Sequence, residues 1–227
     1  MDYNFNRHFR YNRIIYFIVL IGILFSYSCG FSFIDNTNSK PNNVYQKGLD
    51  KFDNKYVDHF PPNDDNAIFF GYGTDTKVAD YRIAFYQKKN RNETKQYKDS
   101  ISKIALEVYK AGNKCNFVVN PYTNTDNYFE QNRASRGYRK VLNRECLNDK
   151  LPIPNFWRKE IKSNNNICNL PDDFDIYVLE AYKGTTFDKK YLSRAGSFVP
   201  EFWKHGYSKG VAISTKRNIV IYWFIIW

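Results

Sequence analysis

Reactive side chains stand closest together at His205-Gly206-Tyr207-Ser208-Lys209-Gly210. An imidazole three residues from a hydroxyl can serve as its general base, provided that a carboxylate orients the ring. Asp172, Asp173 or Asp175 would supply that carboxylate, which makes His205, Ser208 and Asp175 a candidate catalytic set. The same stretch admits a binding reading. Trp203, Tyr207, Tyr222 and Trp223 would present rings, with His205 among them and Lys204 and Lys209 supplying charge. Aromatic faces beside cations suit sugars or anionic glycolipids through stacking and cation–π contact. It also admits a packing reading, in which the glycines give backbone freedom entering a strand and Trp203, His205 and Tyr207 close the end of a sheet.

Gly206 to Gly210 fits the G-x-S-x-G pattern of a nucleophile elbow, which requires a strand before the serine and a helix after it. Pro200-Glu201-Phe202-Trp203 is poor strand sequence, a strand follows the serine, and no histidine lies beyond His205. The elbow reading therefore fails on context. The cysteines are Cys29, Cys115, Cys146 and Cys168. Their spacing has neither CxxC nor a paired-histidine pattern, so neither a metal site nor a cofactor is expected. Cys146 and Cys168 flank one irregular segment and are the expected disulfide, leaving Cys115 beside an apolar run as a buried thiol.

Residues 14–25 read IIYFIVLIGILF, preceded by Arg7, Arg10 and Arg13 and followed by Ser26 and Ser28. A basic front, an apolar middle and a small residue before the cut describe a secretory signal peptide; a spanning helix would need about 20 apolar residues. The order Leu24-Phe25-Ser26-Tyr27-Ser28-Cys29 resembles the lipobox of bacterial lipoproteins, with serine at the places where leucine and alanine or glycine are preferred. That resemblance implies cleavage before Cys29, a diacylglycerol (palmitate-type) anchor on its thiol, and a cell membrane or outer membrane address facing the periplasm. Residues 1–28 are then the signal peptide, 29–43 the lipidated cysteine with a flexible Asn-rich tether, and 44–227 the folded domain.

The sequence carries a formal net charge of +11, and loss of the first 28 residues leaves +9. Such a surface attracts anions. Export argues against nucleic acid and leaves an anionic glycan, lipid or protein as partner. Aromatic residues make up 19% of the chain, and Asn and Lys are abundant, a bias of an AT-rich genome more than of a function.

The elements that must position these residues follow from periodicity. Apolar residues at 45, 49, 52, 56 and 60 predict one helix over 44–60 stopped by Pro61 and Pro62, with His59 capping its end. A strand is expected at 67–72; residues 78–86 fit a helix by Val78, Tyr81 and Phe85 or, preferred for their aromatic and branched residues, a strand by the alternation Tyr81, Ile83, Phe85. A helix is expected over 92–104, capped by Asn92 and striped by Tyr97, Ile101 and Ile104. Residues 104–120 read either as the end of that helix or, preferred on the alternation Ile104, Leu106, Val108, as a hairpin. Residues 151–170 read as a loop pinned by Phe156 and Trp157. A strand is expected over 174–182, then a hairpin of 211–214 and 219–227 around the loop 215–218. The last strand is apolar on both faces, which places it centrally in a sheet covered on both sides, or covered on one and bound to something on the other.

The expected fold is α+β, a single domain whose antiparallel sheet ends in that C-terminal hairpin. The C-terminal stretch, LPDDFDIYVLEAY and WKHGYSKGVAISTKRNIVIYW, is similar to sequences of uncharacterised bacterial lipoproteins, which implies a shared domain and no known activity. The leading functional expectation is a lipid-anchored cell-envelope protein acting as a non-catalytic binding module. The alternatives are a small envelope hydrolase using His205 and Ser208, or an inhibitor or immunity-type protein.

Overall fold

A computed structural model of the chain describes residues 41–62, 67–74, 81–119, 145–156, 166–192 and 199–227, all within one compact unit, Phe33–Trp227. Its frame is a six-stranded antiparallel sheet with a few short helices. In chain order the elements are α1 (Pro41–Leu49), α2 (Asn54–Val57), β1 (Ala67–Thr74), β2 (Tyr81–Lys88), α3 (Arg91–Ile101), β3 (Glu107–Lys110), β4 (Val118–Val119), β5 (Ile153–Pro154), β6 (Asp175–Lys183), β7 (Gly206–Ser214) and β8 (Ile219–Ile226). The sheet runs β1-β2-β8-β7-β6-β3, and β4 and β5 make a separate small parallel pair.

β8 is central, as its two-sided apolar sequence requires. Val220, Tyr222, Phe224 and Ile226 enter the core on the helix side. Ile221, Trp223, Ile225 and Trp227 enter the opposite core, which is roofed by loops and the β4/β5 pair. That is the period of two of a pleated strand with both faces dry. The hairpin loop 215–218 closes with Asn218 at φ 56°, a left-handed conformation that Asn tolerates. Arg217 Nε donates to both carboxylate oxygens of Asp173 (3.0 and 3.2 Å) and ties that loop to the start of β6.

The helical side departs from expectation in continuity but not in facing. Residues 44–60 form two short helices, and the first begins at Pro41, inside the stretch read as tether. Proline suits a first helical position because its missing N–H has no intrahelical partner there anyway. The chain breaks at 50–53, yet Tyr45, Leu49, Phe52, Tyr56 and Phe60 all pack on the same side of the sheet. Phe52 lies 5.2–5.3 Å from the rings of Tyr81, Tyr191 and Phe224. Tyr56 lies 5.2 Å from Tyr207. Each such pair adds about 0.5–1.5 kcal/mol beyond area burial, so much of the aromatic content serves this layer.

α3 starts one residue earlier than expected because Asn90, not Asn92, is its cap. Glu93 N–H donates to Asn90 Oδ1 (2.9 Å), and Asn90 N–H donates to Glu93 Oε2 (3.2 Å), a reciprocal capping box. The helix ends at Ile101, and Ile104, expected on its buried stripe, is 63% exposed. The preferred hairpin over 104–120 does not form. β3 pairs with β6 while β4 pairs with β5, so the two strands flanking the turn go to different partners.

The expected disulfide is corrected. Cys115 bonds Cys146, and Cys168 is the free thiol, buried and donating to the Ala111 carbonyl (3.3 Å). Sequence proximity favoured Cys146 with Cys168, but Cys168 belongs to the core beneath the sheet, beside Leu170 and Phe174. Burial pushes its thiol up to about 12. Non-reducing peptide mapping of the full chain should recover residues 115 and 146 in one cross-linked species. Among these three cysteines, iodoacetamide should label Cys168 alone, and only after unfolding.

Candidate functional site

The structure does not assemble His205, Ser208 and Asp175 into a catalytic set. Asp175 lies opposite Ile213, whereas Ser208 lies opposite Ala181, five residues away along β7. At about 3.3 Å per residue that is roughly 16 Å, far beyond hydrogen-bond reach. Asp175 is engaged elsewhere: Lys98 Nζ donates to it at 2.7 Å and Lys110 Nζ donates to its other oxygen. Burial raises its pKa, and these two cations outweigh that, so the carboxyl ends below the usual range. It pins α3 and β3 to the start of β6. Ser208 is fully buried and donates to the Pro152 carbonyl at 2.5 Å. His205 Nδ1 lies 3.3 Å from the Trp227 carbonyl oxygen.

The glycines of the G-x-S-x-G segment have a packing explanation. On the loop-roofed face of β7 the side chains are Gly206, Ser208, Gly210 and Ala212, all small. Gly210 is the cross-strand partner of Trp223, and Ala84 flanks the same residue on β2. A Cβ on Gly210 would meet the Trp223 ring at 2.6 Å and would also collide with the Tyr177 carbonyl oxygen. One on Gly206 would meet the Tyr182 carbonyl oxygen at 2.5 Å and the Trp227 ring at 2.9 Å. The glycines are thus the beds on which two indoles lie.

The rings proposed for ligand stacking are buried. Trp223 is wholly enclosed, and Trp203 and Tyr207 nearly so. The Trp203 carbonyl accepts from Trp227 Nε1 at 2.7 Å. Lys209 is buried on the opposite, helix-covered face. It donates to Asp58 (3.0 Å) and to the Lys55 carbonyl, and pairs with Glu180 (3.3 Å). Glu180 also accepts from the Tyr207 hydroxyl. Burial and this neighbour raise the Tyr207 pKa. A β-bulge between Val178 and Glu180 makes the cluster possible by setting Glu180 directly opposite Lys209. His59 joins it from α2's end. Its ring is buried, and Nε2 donates to the Trp223 carbonyl (3.0 Å) instead of capping the helix. Sequence reasoning named Lys209 and Tyr207 and read His59 only as a helix cap, but missed Asp58, 151 residues from Lys209, and Glu180, which a bulge brings opposite it; nothing local marks either as a neighbour.

What is exposed lies elsewhere. The large apolar residues left open among the described ones are Ile104 (63%), Leu106 (60%), Val108 (49%), Tyr182 (59%) and Phe202 (47%). Three belong to β3 and its approach, one to β6 and one to the turn beside β6's end. β3 covers only Asp175 to Val178 of β6. Leu106 N–H donates to the Val178 carbonyl, and the chain then turns off into α3, with Ala105 N–H donating to Ile101. Past the bulge, β6 runs on to Lys183 with no strand on its outer side among the described residues, and its burial falls off residue by residue.

Beside that half-strand is an open hollow of about 400 Å³ lined by Leu151, Ala181, Tyr182, Lys183 and Trp203. Its wall is fixed from two sides. The Leu151 N–H donates to Tyr109 Oη (2.8 Å), and Ser208 holds Pro152. Lys183 Nζ stands 5.1 Å above both the Phe202 and the Trp203 ring. Among the described residues no group of three His, Cys, Asp or Glu could hold a metal ion, and no helix is long and apolar enough to cross a membrane. Set against protein-family models, curated proteins and solved structures, the chain matches none.

Proposed function

We propose that the protein is an exported, lipid-anchored module of a bacterial cell envelope that binds a protein partner and does no chemistry of its own. Residues 1–28 are read as the signal peptide and Cys29 as the lipidated residue, holding an α+β domain on the periplasmic side of the membrane. The observation that carries the binding part is the gathering of Ile104, Leu106, Val108, Tyr182 and Phe202 around one sheet edge. Exposed apolar residues grouped at an edge strand mark an interaction surface, and a free edge that served nothing would be an aggregation liability. The Cys115–Cys146 disulfide supports export, since such bonds persist in oxidising compartments. The engagement of Ser208 and Asp175 in structural bonds disfavours the hydrolase alternative.

Two or three acyl chains hold a protein stably at a bilayer, at about 0.8 kcal/mol per buried methylene. In cells fed radiolabelled palmitate, the full chain should take up label and sediment with membranes. Cys29→Ala should lose the label and retain residues 1–28. Equal labelling of the two proteins defeats the anchor.

A further inference from the structure

We propose that the outer half of β6, from the bulge at Leu179 to Lys183, is a docking edge for an extended acidic peptide segment of another protein, which adds as a strand in line with β3. This rests on the binding-module reading and names the partner's chemistry.

The backbone alternation sets which groups are on offer. Val178 C=O points outward to Leu106, whereas Gly184 N–H points inward to His205 C=O (2.8 Å). Between them the bulge shifts the phase once. Counting back from Gly184, Tyr182 and Glu180 bond inward to β7. Ala181 and Lys183 therefore turn both N–H and C=O outward, where no described strand meets them. Those are the donor and acceptor rungs of an antiparallel or parallel ladder. Strand addition to such an edge draws affinity from the main chain and specificity from pockets for alternate side chains.

The pockets are in register with the rungs. A residue opposite Ala181 would point to the loop-roofed face, into the hollow between Leu151 and Trp203. A residue two further along, opposite Lys183, would lie under its ammonium. Lys183 has no carboxylate partner among the described residues; it rests on two rings instead. An acidic side chain there would complete an ion pair, in a chain whose net charge of +11, or +9 without residues 1–28, already favours acidic partners. The exposed Leu106 and Ile104 stand where β3 leaves the edge, at the end of the incoming strand's track. The partner pattern is thus a small aliphatic residue with a carboxylate two positions away.

The probe is a fluorescein-labelled, end-blocked Ser-Glu-Thr-Val-Thr-Glu-Ser, which satisfies the pattern in either chain direction. It is titrated by anisotropy into the full chain in detergent micelles. Saturable binding is expected. Lys183→Glu, and separately Ala181→Trp, which fills the hollow, should each weaken it at least tenfold. A peptide with Lys in place of both Glu should also bind at least tenfold more weakly. Hydrogen exchange of the Ala181 and Lys183 amides should slow at least tenfold when the peptide is bound. Unchanged binding by Lys183→Glu, displacement of the peptide from parent and variant alike by a polyanionic glycan, or exchange protection confined to other strands would overturn the proposal. So would absence of binding by folded parent protein. If membrane recovery still depends on Cys29 in that case, the edge assignment alone has failed.

Discussion

Gly210→Ala will cost the protein about 3 kcal/mol of stability, the upper end of what overpacking of a close-packed core usually costs. The methyl group would have to occupy space shared by the Tyr177 carbonyl oxygen and the Trp223 ring, whose carbons lie 2.6 and 3.0 Å from the new atom. Backbone on one side cannot yield without breaking the β6–β7 ladder. The indole on the other cannot yield because Ala84 and Phe156 hold it, the latter with its ring centroid 6.2 Å away at 83°. Gly206→Ala repeats the problem more mildly at Tyr182 and Trp227. Denaturant unfolding measures both. Trp223→Leu on its own removes indole burial and should also destabilise. Combined with Gly210→Ala it should recover part of the glycine penalty, because the ring half of the collision is gone. A coupling below about 0.5 kcal/mol, the scatter expected of independent sites, would show that Trp223 does not lie on Gly210.

That pair shows what could and could not be read from the chain. The period of two in β8 and the spacing of Tyr45, Leu49, Phe52, Tyr56 and Phe60 are local signals. They fixed which residues face the sheet even where the helix itself broke at 50–53. The hairpin that ends the sheet was equally local. The meaning of Gly206 and Gly210 was not, since it depends on which residue lies across the strand, and a catalytic motif competes with a packing motif of the same spelling. Lys209 is the sharper case. In sequence it reads as a charge offered to a ligand. In the fold a bulge at Leu179 turns Glu180 toward it, and Asp58 arrives from a helix at the far end of the chain. The disulfide failed for the same reason. Chain distance put Cys146 with Cys168, and the core claimed Cys168 first. The alternation Ile104, Leu106, Val108 was legible but pointed to a hairpin; that no described strand covers the outer half of β6 follows from where β3 stops, which no local signal marks.

The second large effect is a loss of stability as pH falls from 6.5 toward 4. His59 is buried, and the cost of desolvating its cation, helped by the charge of Lys209, holds its pKa at about 4. The Trp223 and Gly210 carbonyls and Asp58 pull the other way and are outweighed. A carbonyl only accepts, so Nε2 carries the proton of the neutral ring. Nδ1 is then bare, with no hydrogen-bond partner, 3.9 Å from Asp58 Oδ1. In the unfolded chain the same imidazole takes up a proton near its ordinary 6.5. Between those two values the unfolded state binds a proton that the folded state does not, so stability is full above 6.5 and drains as pH drops. One pKa unit is worth about 1.4 kcal/mol, so the whole interval removes about 3 kcal/mol. The depressed carboxyls of Asp173 and Asp175 lose their contribution later, below their ordinary value of 3.8, so the windows do not overlap. His59→Gln keeps a donor for the Trp223 carbonyl and cannot titrate. Its stability should be flat from 6.5 to 4, where the parent's falls. Lys209→Met takes away the neighbouring cation and should move the lower limit of the parent's window upward. If His59→Gln keeps the parent's slope, the titrating group lies elsewhere and the buried cluster around Lys209 has no part in it.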